Sequence, residues 1–263
     1  MKKVLIQIYE IQTPEEAAAM IALGVDHIGS VLLNNSDWKS ASVKNTIDTV
    51  RSHGAKSSLI PLFNDQYTVC KAMDYYRPDL VHFCQVPGKP KEMDGRVYDM
   101  DFLKGLADLQ AMVREKFPQI GIIRSVPIAP PGLSETFPSL ELAKRFEPIS
   151  DFFLTDTLLV SDKDMNDQPV EGFVGITGKT CDWDMACQLV KNSRIPVILA
   201  GGISPDNVCE GILKVRPAGV DSCTLTNTVN HEGAPVRFKK DPEKVKRLVT
   251  VVRNIEKNVL TLG

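Results

Sequence analysis

The chain has 263 residues, 43% of them hydrophobic and 24% charged, the mix of a globular protein long enough to bury a full core without staples. Its net charge of −2 gives no electrostatic footprint for nucleic acid or an anionic membrane. No run of 18 or more apolar residues occurs, so no transmembrane helix is expected.

Short apolar, β-branched runs alternate with amphipathic stretches along the chain. Val4–Tyr9 reads as a strand. Pro14–Leu23 reads as a helix, with Thr13 as N-cap, Glu16 at the capping-box position and Gly24 as the stop. His27–Leu33 is the next strand, and Ser42–Ser52 the next helix. Lys56–Leu62, Gln66–Tyr76 and Asp79–Cys84 read as strand, helix and strand. A Pro/Gly/Lys loop and a helix around Asp101–Lys116 follow. Gln119–Val126 is the fifth strand; a Pro-rich loop, Pro127 to Pro138, leads to a helix at Ser139–Phe146. Asp151–Asp156 is the sixth strand, trailed by a long polar loop from about Ser161 to Thr180. Asp182–Asn192 is helical, Pro196–Ala200 is the seventh strand, and Ser204–Val215 a helix capped by Ser204. Gly219–Thr224 is the eighth strand. A further polar loop precedes the last helix, Asp241–Asn258.

Eight strands, each followed by a helix, in a chain near the roughly 250 residues that a (β/α)8 barrel needs, predict one closed parallel TIM barrel over residues 1–263. An open doubly wound sheet would want a glycine-rich turn after the first strand, and Ile8-Tyr9-Glu10-Ile11-Gln12 has none. The six cysteines include no CxxC pair, so they read as reduced thiols and no metal is expected. No secretory signal follows Met1-Lys2-Lys3, which makes the cytoplasm the expected location.

In such a barrel the active site lies at the C-terminal strand ends, with phosphate held after strands seven and eight. Three segments stand there: Gly175-Ile176-Thr177-Gly178-Lys179-Thr180, Ala200-Gly201-Gly202-Ile203 and Asp221-Ser222-Cys223-Thr224. Glycine lets backbone approach an anion closely. Thr177, Gly178, Gly201, Gly202, Cys223 and Thr224 are therefore the candidate phosphate residues. Gly175–Thr180 is not a Walker A loop, because Phe173 stands where that motif needs its first glycine.

These segments resemble the phosphoribosylanthranilate isomerase family. Gly175–Trp183 is similar to its Gly-Gly-Thr-Gly-Lys-Thr-Phe-Asp-Trp stretch, and Ile198–Val208, Val215–Asp221 and Lys240–Val245 continue the likeness. Thr13–Ala17 and Leu23–Gly29 fit at the N-terminus. The resemblance implies an Amadori rearrangement within tryptophan biosynthesis, with a carboxylic acid at the end of strand six, here Asp156, protonating the sugar ring oxygen. The family's base is a cysteine in Lys-Ile-Cys-Gly at the end of strand one. This chain has Gln7-Ile8-Tyr9-Glu10 instead, so Tyr9 replaces the cysteine and Glu10 the glycine. The family's histidine ending strand four is Cys84 here. Its Arg-rich loop after strand two is Asn34–Lys39, and its Ser-Ser-Gly after strand eight is Cys223-Thr224-Leu225.

The leading expectation is an isomerase on a phosphorylated sugar or sugar-amine, monomeric or homodimeric, without an organic cofactor. Asp156 is its acid, Glu10 or Tyr9 takes part in proton transfer, and Cys84, Arg124 and Asp221 stand at the substrate mouth. A non-catalytic phosphate-ligand barrel and a lyase or aldolase are the alternatives; no strand end carries the lysine a Schiff base needs. Trp38 is placed either over an aromatic ligand or as a seal on the barrel mouth. The loops near 161–174 and 227–240 read as extended. Valine at Gly202 is expected to occupy the anion's place.

Overall fold

Eight parallel strands pair in chain order and close on one another in the computed structural model, which describes residues 3–86, 100–159 and 172–260. They are β1 (Leu5–Ile8), β2 (His27–Leu32), β3 (Lys56–Pro61), β4 (Leu80–Phe83), β5 (Gly121–Ile128), β6 (Phe152–Thr157), β7 (Val197–Leu199) and β8 (Gly219–Ser222). Closure is made by β1 against β8, with Leu5 opposite Gly219 and Gln7 opposite Asp221. A side chain on Gly219 would fall 2.7 Å from the Leu5 Cβ, so this seam needs glycine.

The outer layer comprises α1 (Pro14–Ala22), α2 (Ala41–Ser52), α3 (Gln66–Tyr76), α4 (Met100–Lys116), α5 (Ser139–Phe146), α6 (Trp183–Asn192), α7 (Val208–Val215) and α8 (Pro242–Leu260). Short polar side chains start several of them. Thr13 accepts from Glu16 N, Asp65 from Thr68 N at 2.8 Å, and Asp182 from Asp184 N at 2.8 Å, each satisfying a backbone donor that the first turn leaves unpaired. Buried aliphatic residues from both layers fill the space between strands and helices, including Val50, Met73, Val113, Ile122, Leu189 and Val252.

Three differences from the sequence reading bear on the site. β5 continues two residues past Val126, through Pro127 to Ile128; the Pro127 carbonyl is used by the Ser139 hydroxyl at 2.6 Å. α7 starts at Val208, not Ser204. Asn207 interrupts, its Oδ1 accepting from Ser204 N and its Nδ2 donating to Gly202 O, both at 2.8 Å, which ties the Gly201-Gly202 turn to the helix start. Residues 227–240 form an antiparallel hairpin, β9 (Asn227–Val229) and β10 (Pro235–Lys240). The other extended loop falls largely outside the described residues, as does the Pro/Gly/Lys loop after β4. Among the described residues no helix is long and apolar enough to cross a membrane.

Candidate active site

The C-terminal strand ends surround one cleft, with about 760 Å³ between its walls counting the open mouth. It brings together Tyr9, Glu10, Cys84, Asp156, Thr177, Gly178, Gly201, Gly202, Asp221, Cys223 and Thr224. Alternation puts them there. Leu154 and Asp156 on β6 face inward, as do Ala200 beyond β7 and Asp221 on β8, while the residues between them face the helices.

Asp156 ends β6 under the Gly175 loop. A side chain on Gly175 would come 2.3 Å from its Oδ2, and the residue's φ of +105° is likewise a glycine conformation. The loop packs against one side of the carboxyl, and the residue stays partly exposed toward the cleft it lines. Burial, and then the charge of Asp221, push its pKa up to about 8 against a backbone hydrogen bond from Thr157 N. A carboxyl so placed is protonated at neutral pH and able to donate. Asp221 is lifted to about 7 by burial, with the Gln7 side-chain hydrogen bond and the Lys240 charge opposing. Gln7 Nε2 donates to its Oδ1 at 3.2 Å, and the Gln7 carbonyl oxygen meets His27 Nδ1 at the same distance.

The glycines beside these acids make contacts that no other residue allows. Gly178 has φ +66°, and a side chain there would meet Thr224 at 3.3 Å. Gly202 has φ +60°, and its missing side chain would strike the Lys179–Thr180 backbone at 2.7 Å. Valine at Gly202 would thus collide with the neighbouring loop before reaching an anion, which corrects the expectation drawn from sequence. A side chain on Gly201 would come closer still, 2.4 Å from the Thr157 hydroxyl. Among the described residues neither the Gly178 nor the Gly202 N–H is taken by another backbone carbonyl.

The end of β1 is built differently. Tyr9 is 4% exposed, and its ring lies where a side chain on Gly29 would stand, at 2.0 Å. Its hydroxyl meets Ser58 Oγ at 2.5 Å and His82 Nδ1 at 2.9 Å, while His82 Nε2 meets Ser125 Oγ at 2.8 Å. Burial raises the phenol well above its usual value and lowers His82 to about 3. Both are neutral members of a closed polar network inside the barrel. Glu10 is 1% exposed, with φ +64° at the position where the family pattern has glycine. Its carboxylate accepts from Arg237 Nε at 2.7 Å and lies 2.6 Å from Arg237 Nη2, so it anchors hairpin β9–β10. Burial raises the Cys84 thiol to about 12 and drives Cys223 higher still.

Two candidates lie elsewhere. Arg124 alternates with the inward Ser125 and therefore faces the helices: its guanidinium lies 4.4 Å from the Phe146 ring centroid and donates to Gln85 O at 2.7 Å. It does not line the mouth. Trp38 packs edge-on to Tyr75 and Tyr76 of α3, with centroids 5.8 and 6.3 Å away, and neither covers the cleft nor seals it. Sequence reasoning missed Gln7, Ser58, Ser125 and Arg237. The inward parity of the strands marks the first three, whereas nothing in the sequence pairs Glu10 with a residue 227 positions on. Among the described residues no three His, Cys, Asp or Glu side chains form a metal-binding group.

A closed barrel with an acid at the end of β6 and glycine-built turns at the ends of β6 and β7 defines the class: a (β/α)8 barrel whose candidate site lies at the C-terminal strand ends. Residues 133–251 match the family described as PRAI, N-(5'phosphoribosyl)anthranilate (PRA) isomerase. N-(5'-phosphoribosyl)anthranilate isomerase 2 of Methanosarcina mazei is 40% identical over 111 residues, a stretch covering 42% of this chain and 42% of that one. The isomerase of Methanocella arvoryzae is 27% identical over 243 residues, 92% of this chain and 94% of that one. Monomers of dimeric phosphoribosylanthranilate isomerase from Thermotoga maritima share the fold with a TM-score of 0.65 at 16% identity, over 95% of this chain and 99% of that one. The likeness to the phosphoribosylanthranilate isomerases thus consists of a family match over residues 133–251 and a similarity along most of the chain at 27% identity.

Proposed function

We propose that the chain is an isomerase that converts a phosphorylated aldose, or its amine adduct, to the ketose form, with Asp156 as general acid. The observation that carries this reading is the Asp156 carboxyl itself: roofed by Gly175, beside a second acid, and held at about 8. Such a group keeps its proton at neutral pH and can give it to a ring oxygen as the ring opens. The substrate's phosphate is assigned to the rim formed by Gly178, Gly202 and Thr224, where backbone N–H groups and a hydroxyl meet. Tyr9 takes the role of a wall. Its phenol is neutral and committed to Ser58 and His82, and its ring occupies the space over Gly29. Glu10 acts by holding the hairpin through Arg237. The Schiff-base alternative is disfavoured because no lysine is among the described residues lining the cleft.

The test is conversion of phosphoribosylanthranilate and of ribose 5-phosphate by the purified chain and by Asp156→Asn. Conversion of either compound that Asp156→Asn abolishes supports the reading. Thermal shifts with both compounds and turnover of neither favour the non-catalytic binder.

A further inference from the structure

We propose that Asp221 is the base that removes the C2 proton, working across the cleft from Asp156. This assignment rests on the isomerase reading above. Its first support is register. Leu154 pairs with Ile198, and Ile198 with Gly219; two residues further along each strand, Asp156, Ala200 and Asp221 lie level. One strand separates the two acids, so their Cα atoms stand about 10 Å apart, two strand spacings. The residue between them is alanine, followed by Gly201 and Gly202, and no large side chain fills the gap. A sugar carbon chain fits there with one carboxyl on each side.

The second support is what the other ionisable groups at the cleft are doing. Tyr9 is hydrogen-bonded to Ser58 and His82. His82 has both ring nitrogens engaged, by Tyr9 and by Ser125. Glu10 is paired with Arg237. Cys84 and Cys223 are thiols held protonated by burial. Asp221 is positioned by a single bond from Gln7 to its Oδ1. Its Oδ2 is not among the enclosed, partnerless side-chain atoms, so that oxygen opens to the cleft that Asp221 lines. Burial raises both acids above the ordinary carboxylate range, and the charge of Asp221 raises Asp156 further while Gln7 and Lys240 oppose the rise at Asp221, which suits Asp156 to donate and Asp221 to accept.

The proton balance closes with these two groups. Asp156 protonates the ring oxygen as the C1–O bond breaks, and the amine nitrogen's lone pair forms C1=N. Asp221 takes the C2 proton; the C2–H electron pair becomes the C1–C2 double bond, and the C1=N pair returns to nitrogen. Asp221 then delivers its proton to C1 while the 2-hydroxyl gives its proton to Asp156, which leaves the ketone and restores both carboxyls. For an aldose without an amine, oxygen stands in place of nitrogen.

The experiment follows product formation from phosphoribosylanthranilate and ribose 5-phosphate in D2O, together with deuterium uptake at C1 or C2, by mass spectrometry. Wild type, Asp221→Asn, Asp221→Ser and Asp221→Glu are compared, with melting temperature as the check on folding. Asn retains the acceptor for Gln7. The rate of product formation, and of any uptake, is expected to fall at least about 100-fold in the Asn and Ser variants and to return in part with Glu. A folded Asn or Ser variant within about threefold of wild type would overturn the assignment and leave the isomerase reading standing. Neither product nor uptake from wild type with either compound would overturn both.

Discussion

Strands β6 to β8 and strands β1 to β4 line the same cleft, yet they make it by different physical means. On the β6–β8 side, glycines at positive φ press backbone against the side chains of Asp156, Thr157 and Thr224, and two acids are lifted toward neutrality by burial. On the β1–β5 side, Tyr9 stands where the family pattern has its cysteine, and the side chains around it bond to one another. Tyr9, Ser58, His82 and Ser125 form a closed neutral network. One wall of the barrel mouth thus presents two acids to the cleft, while the opposite wall is packed as a neutral polar core.

If that division is right, mutations on the two sides should fail in different ways. The largest effect is expected from Asp156→Asn. Loss of a general acid should lower turnover by about 10²- to 10⁴-fold, with the fold intact, as measured by steady-state rates and melting temperature on the same sample.

The same residue sets a stability signature. Its folded pKa of about 8 lies above the usual carboxylate value of 3.8, so between those values the native state binds more protons than the unfolded state. Stability should therefore fall as pH rises from about 4 to 8, by a few kcal/mol, and Asp156→Asn should flatten that slope. Melting curves over this range check it, and a wild-type profile that rises toward pH 8 would contradict it.

On the opposite side the losses should be structural. Arg237→Met leaves the carboxylate of Glu10, 1% exposed, without its counter-charge. Breaking a buried pair costs about 3–5 kcal/mol; with the Arg237 side chain 33% exposed, about 2–3 kcal/mol is expected in urea denaturation. Tyr9→Phe strips a partner from both Ser58 and His82 and should cost about 1–3 kcal/mol by the same assay. The smallest effect is expected at Ile176, a β-branched residue at φ +63° where the family pattern has glycine. Ile176→Gly relieves about 1–2 kcal/mol of left-handed strain and adds about 0.5–1 kcal/mol of chain entropy. A net gain of up to about 1 kcal/mol follows, and a loss in denaturation midpoint would show that the strain is absent.

Most of the fold was legible because each element carried its own local signal. The helix Gln66–Tyr76 has the same bounds in the sequence reading and in the structure, since Asp65 caps its start and Arg77 leaves the helix in the left-handed region. The glycine turns were legible in the same way, as strand-end neighbours along the chain, whereas Asp156 was singled out by the family resemblance. The hairpin 227–240 was not, because its strands are short and pair with each other outside the barrel. Glu10 reads as a reactive carboxylate until its partner is known, and that partner arrives from a distant hairpin. Arg124 shows the remaining limit: nearness to a strand end does not say which way a side chain points, and the alternation along β5 that turns Ser125 inward turns Arg124 toward the helices.

The central claim is that the acid side of the cleft is kept while the strand-one side has changed its task. The direct measurement is phosphoribosylanthranilate turnover by wild type, by Tyr9→Cys/Glu10→Gly, and by that double variant carrying Asp156→Asn. The account predicts a parent rate below about 1 per second, a higher rate when the strand-one pattern is restored, and loss of that gain when Asp156 is removed. Wild-type turnover at about 1 per second or more, unimproved by the restored pattern, would contradict it.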